Sequence, residues 1–151
     1  MYDSILVATD GSETGSVAVE HAIELADQFG ATLYGITVLE SRTEYDNAIV
    51  DPAETKRRRI DRAESVLADL ESTAVDVGLS VETTVESGVP HEKILEAAGE
   101  YGVDAIVVGA RGRSSFKRAL LGGTVDGVVR LTDRPVVVVA EDEHEPESTG
   151  D

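Results

Sequence analysis

Hydrophobic residues along this chain fall into two alternating kinds of stretch. Ser4-Ile5-Leu6-Val7-Ala8 is a short apolar run that stops at Thr9-Asp10-Gly11-Ser12, as a buried strand ending in a polar turn would. From Gly15 to Phe29 the apolar positions Ala18, Ala22, Leu25, Ala26 and Phe29 recur at helical spacing, and Gly30 supplies a C-terminal stop. Thr32 to Leu39 is a second strand, rich in β-branched residues, and Ser41 to Asp51 is a polar connection. Pro52 opens a long helix whose apolar face is Ile60, Ala63, Leu67, Leu70 and Ala74, and Gly78 ends it. Leu79 to Val85 reads as a third strand. Ser87-Gly88-Val89-Pro90 is a turn into a helix carrying Ile94, Leu95, Ala98 and Tyr101. Asp104 to Gly109 is a continuous apolar strand. Gly112 to Gly123 is a loop, a helix runs through Val125, Val128 and Val129, and Pro135 to Ala140 is the last strand.

The alternation predicts an α/β fold of five strands and four helices. Strands without polar alternation are buried on both faces, which is how parallel sheets read. The expected architecture is a single open doubly wound parallel sheet with helices on both faces and the common order 3-2-1-4-5. In such a sheet ligands sit beyond the carboxyl ends of the strands, where neighbouring connections diverge to opposite faces. That point falls between the first and fourth strands, so the loops Thr9–Ser12 and Ala110–Thr124 are the ones to question.

Composition narrows the function. The 151 residues include 30 acidic and 13 basic side chains, a formal net charge of −17. Such a charge argues against nucleic acid and anionic membranes as partners. An apolar fraction of 41% suffices for a core, so residues 1–140 are expected to form one domain and the acidic tail 141–151 to stay disordered. No run approaches the ~18 apolar residues of a membrane helix. The first residues lack a leader pattern, so the expected location is cytoplasmic. Without cysteine there is no disulfide, thiolate metal site or Cys nucleophile. Lysine occurs only at Lys56, Lys93 and Lys117. Many carboxylates with few lysines suit a proteome adapted to molar salt, where screening suppresses self-repulsion, and the expected source is an extreme halophile.

Against that acidity one segment is basic. Gly109 to Thr124 carries Arg111, Arg113, Lys117 and Arg118 among Gly109, Gly112, Gly122 and Gly123. Glycines let a ligand approach the backbone, and the start of the last helix adds N–H donors and a partial positive charge. Cations, backbone donors and a helix N-terminus together describe a phosphate site. Asp10 ends the first strand on the same edge, where a carboxylate can accept from a ribose hydroxyl or simply make an Asx turn. The other basic run, Lys56-Arg57-Arg58-Arg59 with Arg62, lies beside Glu54, Asp61 and Glu64 and reads as a solvated helix face. His21, His91 and His144 have no spacing that gathers them on a metal, and His91 reads as a surface residue.

The chain resembles the universal stress protein family along its whole length apart from the tail. The matching residues are Ile5-Leu6-Val7-Ala8-Thr9-Asp10-Gly11-Ser12, Ser87-Gly88-Val89-Pro90, Asp104-Ala105-Ile106-Val107-Val108-Gly109 and Arg134-Pro135-Val136-Val137-Val138-Val139. The most specific match is the family's nucleotide motif, Gly-x-x-Gly, nine residues, then Gly and Ser or Thr. Gly109, Gly112 and Gly122 fall on its glycines, with the nine residues Arg113 to Leu121 between the second and the third. Gly123 stands where the hydroxyl residue would be, and Thr124 follows it.

The resemblance implies the ATP-binding branch of the family. ATP, or AMP or ADP, would lie with its adenosine against Ala8 and Asp10, its base on backbone groups of Val38, and its phosphates, with Mg²⁺, on Gly109, Arg111, Gly112, Arg113, Ser114, Gly122, Gly123 and Thr124. It also implies a homodimer formed through the last strand, Val136 to Val139, and a regulatory role in stress response as a nucleotide-dependent switch. Two further readings stay open. One is a slow ATPase or autophosphorylating protein, though no Gly-Lys-Ser/Thr phosphate loop and no general base is apparent. The other is a dimeric interaction module that binds no nucleotide.

Overall fold

The alternation appears as expected in a computed structural model of the protein, which describes residues 2–40, 52–110 and 122–140. In chain order the elements are β1 (Ser4–Ala8), α1 (Glu13–Phe29), β2 (Thr32–Leu39), α2 (Pro52–Asp76), β3 (Val81–Ser87), α3 (Pro90–Tyr101), β4 (Ala105–Gly109), α4 (Gly123–Leu131) and β5 (Val136–Val139). The five strands form one sheet in the order β3-β2-β1-β4-β5, and every neighbouring pair is parallel. The polar connection 41–51, most of the glycine loop (111–121) and the tail 141–151 lie outside the described residues.

Strand alternation divides the core into two layers. Ile5, Val7, Leu33 and Val107 meet Ala18, Ala22 and Ala26 of α1 and Leu67, Leu70 and Ala74 of α2 on one face. Leu6, Ile36, Ile106 and Val108 meet Ile94, Ala97 and Ala98 of α3 and Val125 and Val128 of α4 on the other. The first two crossovers therefore cover one face and the last two the opposite face, as right-handed connections in this strand order require. α1 leaves β1 towards one layer and α4 leaves β4 towards the other. The chain therefore leaves β1 and β4 towards opposite layers, and it is beyond this pair of strand ends that a ligand is expected in such a sheet.

Helix ends follow local chemistry. Ser12 caps α1 by accepting from the Gly15 N–H (3.1 Å), so the helix starts at Glu13, earlier than the apolar periodicity alone suggests. Gly30 and Gly102 close α1 and α3 in the left-handed conformation. The third strand begins at Val81 rather than Leu79. The N–H groups of Gly78 and Leu79 are spent on the carbonyls of Val75 and Ala74, and the ladder with β2 starts at Leu33↔Val81.

Candidate functional site

The first strand delivers a structured turn to the crevice. Thr9 is buried; its N–H donates to the Ile36 carbonyl (3.0 Å) and its carbonyl accepts from the Thr37 hydroxyl (2.8 Å). Its own hydroxyl accepts from the Gly11 N–H (3.3 Å). Asp10 follows, half-buried, and its Oδ1 accepts from the Ser12 N–H (2.9 Å). That is the Asx turn that the residue type allowed, and it holds the carboxylate at the sheet edge. Gly11 turns the chain with φ of 83°. Gly15 lets α1 close down on the turn, because a Cβ there would stand 2.8 Å from Thr9 Oγ1 and 3.1 Å from Asp10 Oδ1.

The second strand runs past the end of the first. The β1 ladder stops at Ala8↔Ile36, with the Thr9 N–H on the Ile36 carbonyl as its last rung. On the other side of β2, Leu33 N–H donates to Ser80 and the Leu39 carbonyl accepts from Gly88. Backbone groups of successive strand residues point to opposite sides. Odd-numbered residues of β2 therefore bond β3, and even-numbered ones face β1. Val38 is the even residue beyond the last rung, so its N–H and C=O face the crevice next to Thr9 and Asp10. The Val38 side chain packs half-buried on the α3/α4 layer and carries no sign of this role.

The fourth strand supplies the other wall. Gly109 lies two register steps beyond Val7↔Val107 and pairs with Val139. Ala110 N–H donates to the Val139 carbonyl and Gly122 N–H donates back to the Ala110 carbonyl, both at 2.8 Å. That second bond closes the base of the glycine loop and brings the start of α4 to the end of β4. Gly122 caps the helix without a side chain. The first N–H groups of α4, on exposed Gly123 and half-buried Thr124, have no partner within the helix and carry its positive dipole end. Asp126, in the same turn, is paired with Arg130 (2.8 Å), which offsets its negative charge at this end of the helix.

Ala8, Asp10, Val38, Gly109, Gly122, Gly123 and Thr124 thus share the carboxyl edge of the sheet. Arg111, Gly112, Arg113 and Ser114, with Lys117 and Arg118, lie outside the described residues. Two side chains read as surface have contacts of their own. Arg59, from the basic run of α2, is half-buried and donates to the Glu40 carbonyl at the end of β2 (2.7 Å). His91, at the start of α3, lies half-buried against Gly127 of α4. A periodicity reading places both on helices but cannot tell which strand end or helix they meet. Arg58, by contrast, is exposed and near Glu54 (3.8 Å), as a solvated helix face implies. Among the described residues no helix is long and apolar enough to cross a membrane.

Fold and site together define a doubly wound α/β protein whose candidate ligand site is the switch point between its first and fourth strands. The model of the universal stress protein family matches residues 1–140, and the chain belongs to that family. It is 29% identical to the universal stress protein MJ0577 of Methanocaldococcus jannaschii, over 92% of this chain and 95% of that protein. It is 30% identical to MJ0531 of the same organism, over 96% of this chain and 86% of that protein. The solved structure of MJ0577 superposes with a TM-score of 0.83 and covers 95% of this chain and 99% of its own. A universal stress protein solved in complex with cAMP superposes with a TM-score of 0.66 at 26% identity, over 91% of this chain and 96% of its own.

Proposed function

We propose that this protein is a regulatory member of its family that binds ATP, or AMP or ADP, at the β1/β4 switch point and acts in stress response as a dimeric switch. The observation that carries the reading is the Val38 backbone pair, which faces the crevice beyond the last rung of β1, with an α-helix start that has no side-chain cap at the end of β4. A base fits the first and phosphates fit the second. The relative solved with cAMP supports an adenine nucleotide as the ligand class.

Val38 offers one acceptor and one donor on the same side of its strand. Adenine presents an N6 donor beside an N1 acceptor, which complements them. Guanine in the same pose sets its O6 against the carbonyl and its N1–H against the N–H. Asp10, held by its turn, takes the ribose hydroxyls. The phosphates lie on Gly109, Gly122, Gly123 and Thr124, and the loop cations Arg111 and Arg113, with Gly112 and Ser114, complete their surroundings. Mg²⁺ neutralises phosphate charge that a chain of net charge −17 would otherwise repel, and molar salt, which the composition suits, screens the rest. Among the described residues nothing comes within 4 Å of a Cβ position at Gly123, so none of them stands in the way of the hydroxyl residue of the family motif. The working domain is residues 1–140, the location is cytoplasmic, and the dimer forms through Val136 to Val139.

Titration calorimetry in molar KCl tests the reading. Mg-ATP is expected to bind and Mg-GTP to bind on the order of 100-fold more weakly, because two backbone groups lose their partners. Equal affinities would remove Val38 as the base reader, and no heat with either would remove the nucleotide.

A further inference from the structure

We propose that His91 is a positioning residue that sets where the start of α4 stands, and through it the donors on Gly122, Gly123 and Thr124; the assignment to phosphate rests on the function proposed above. α3 and α4 pack side by side on one face of the sheet. Where α4 passes the start of α3 it carries Gly127. A Cβ at that glycine would stand 2.6 Å from His91 Cγ, 2.9 Å from His91 Cβ and 3.0 Å from His91 Cδ2. Real Cβ atoms do not come so close. The contact is therefore between helix backbone and the base of an imidazole, not the far end of a flexible side chain.

Backbone conformation does not explain the glycine, since Gly127 is not among the positive-φ residues. A glycine inside a helix weakens it relative to alanine. The close approach to His91 is the physical reason for one here. Gly123 and Gly99 make the contrast, with no described residue within 4 Å of a Cβ.

The contact reaches the proposed site because α4 is a short rod. It has nine residues, with Val125 and Val128 as its buried anchors. Gly127 stands four residues past Gly123, about 6 Å along the axis. A displacement at the second turn therefore moves the N-terminal amides with it. The Gly122 N–H bond to Ala110 ties that end to β4, and His91 fixes the same rod from the α3 side.

The test uses the full chain as wild type, Gly127→Ala, His91→Gly, which removes the Cβ as well as the ring, and the double variant. Two readouts are taken: the ¹H–¹⁵N shifts of Gly122, Gly123 and Thr124, and calorimetric affinities for Mg-ATP and adenosine. Gly127→Ala is expected to shift those amides and weaken Mg-ATP roughly tenfold while adenosine stays within about twofold, since only the phosphate end is displaced. The double variant removes the collision and is expected to return both readouts towards wild type, a non-additivity that a general loss of stability does not produce. If Gly127→Ala fails to fold while the double variant folds, the contact is confirmed as the seat of the helix. Unmoved amides, or a double variant equal to the sum of the singles, would overturn the proposal. Should wild type bind neither ligand, the nucleotide reading falls, and the amide shifts alone decide whether His91 seats α4.

Discussion

Glycine is the residue whose meaning here depends most on its neighbours. Gly15 and Gly99 both lie in helices with negative φ, and helix propensity alone makes either better as alanine by up to about 1 kcal/mol. No described residue comes within 4 Å of a Cβ at Gly99, so Gly99→Ala is expected to stabilise the protein by roughly 0.5–1 kcal/mol. A Cβ at Gly15 would stand 2.8 Å from the Thr9 hydroxyl and 3.1 Å from the Asp10 carboxylate. Gly15→Ala must push the first loop aside and is expected to cost about 1–2 kcal/mol instead. Denaturant unfolding of the two variants in the same salt checks the opposite signs; a gain from both would show that the loop yields freely. At this scale sequence reading finds Asp10 and the loop glycines, because their side chains, or lack of them, are the signal. Val38 is beyond it: its proposed role lies in a backbone N–H and C=O, and which way these point follows from where β1 stops. The family resemblance names Val38; the ladder supplies a physical reason.

At the scale of elements the strand pattern was legible because every strand but the third is apolar on both faces. The third is the informative exception. It is an edge strand with Glu82, Thr84 and Glu86 on the α3 side, opposite Tyr34, Ile36 and Val38 of β2. Near it Tyr34 stacks on Tyr101, at the end of α3, with ring centroids 4.1 Å apart. The Tyr101 phenol is raised above its ordinary value of 10.0, first by burial and then by the carboxylates of Glu82, Glu100 and Glu86 and by Tyr34. A folded-state value above the unfolded one means that the native state holds this proton more tightly. Its contribution to stability is complete below the unfolded value and is lost as pH rises through the folded one. Melting temperature above pH 10 is therefore expected to fall more steeply for wild type than for Tyr101→Phe. Superimposable alkaline profiles would show that the tyrosine titrates as it does in the unfolded chain.

The two edges of the sheet differ in a way that bears on assembly. β3 carries glutamates, which discourage pairing with another strand, whereas β5 is Val136 to Val139 without a charge. Pro135 and Val139 carbonyls accept from Ile106 of β4 and from Ala110 just beyond it, so by alternation Val136 and Val138 turn their N–H and C=O outward. Val138 is also 37% exposed. A second copy pairing along this edge satisfies those groups and covers the valine. Light scattering is expected to return twice the 16.0 kDa chain mass for wild type and a smaller mass for Val138→Glu. A monomeric wild type would contradict the dimer.

Net charge speaks to the molecule as a whole rather than to its fold. It argues against large polyanions, and the small anion proposed for the crevice would need salt to screen the field. An adenine nucleotide is proposed to occupy the carboxyl edge between β1 and β4. The most direct test is ¹H–¹⁵N correlation of the full chain in molar KCl, titrated with Mg-ATP. Saturable shifts are expected at Ala8, Asp10, Val38, Gly109, Gly122, Gly123 and Thr124, with the amides of β3 left in place. Shifts confined to other surfaces, or none at saturating nucleotide, would contradict it.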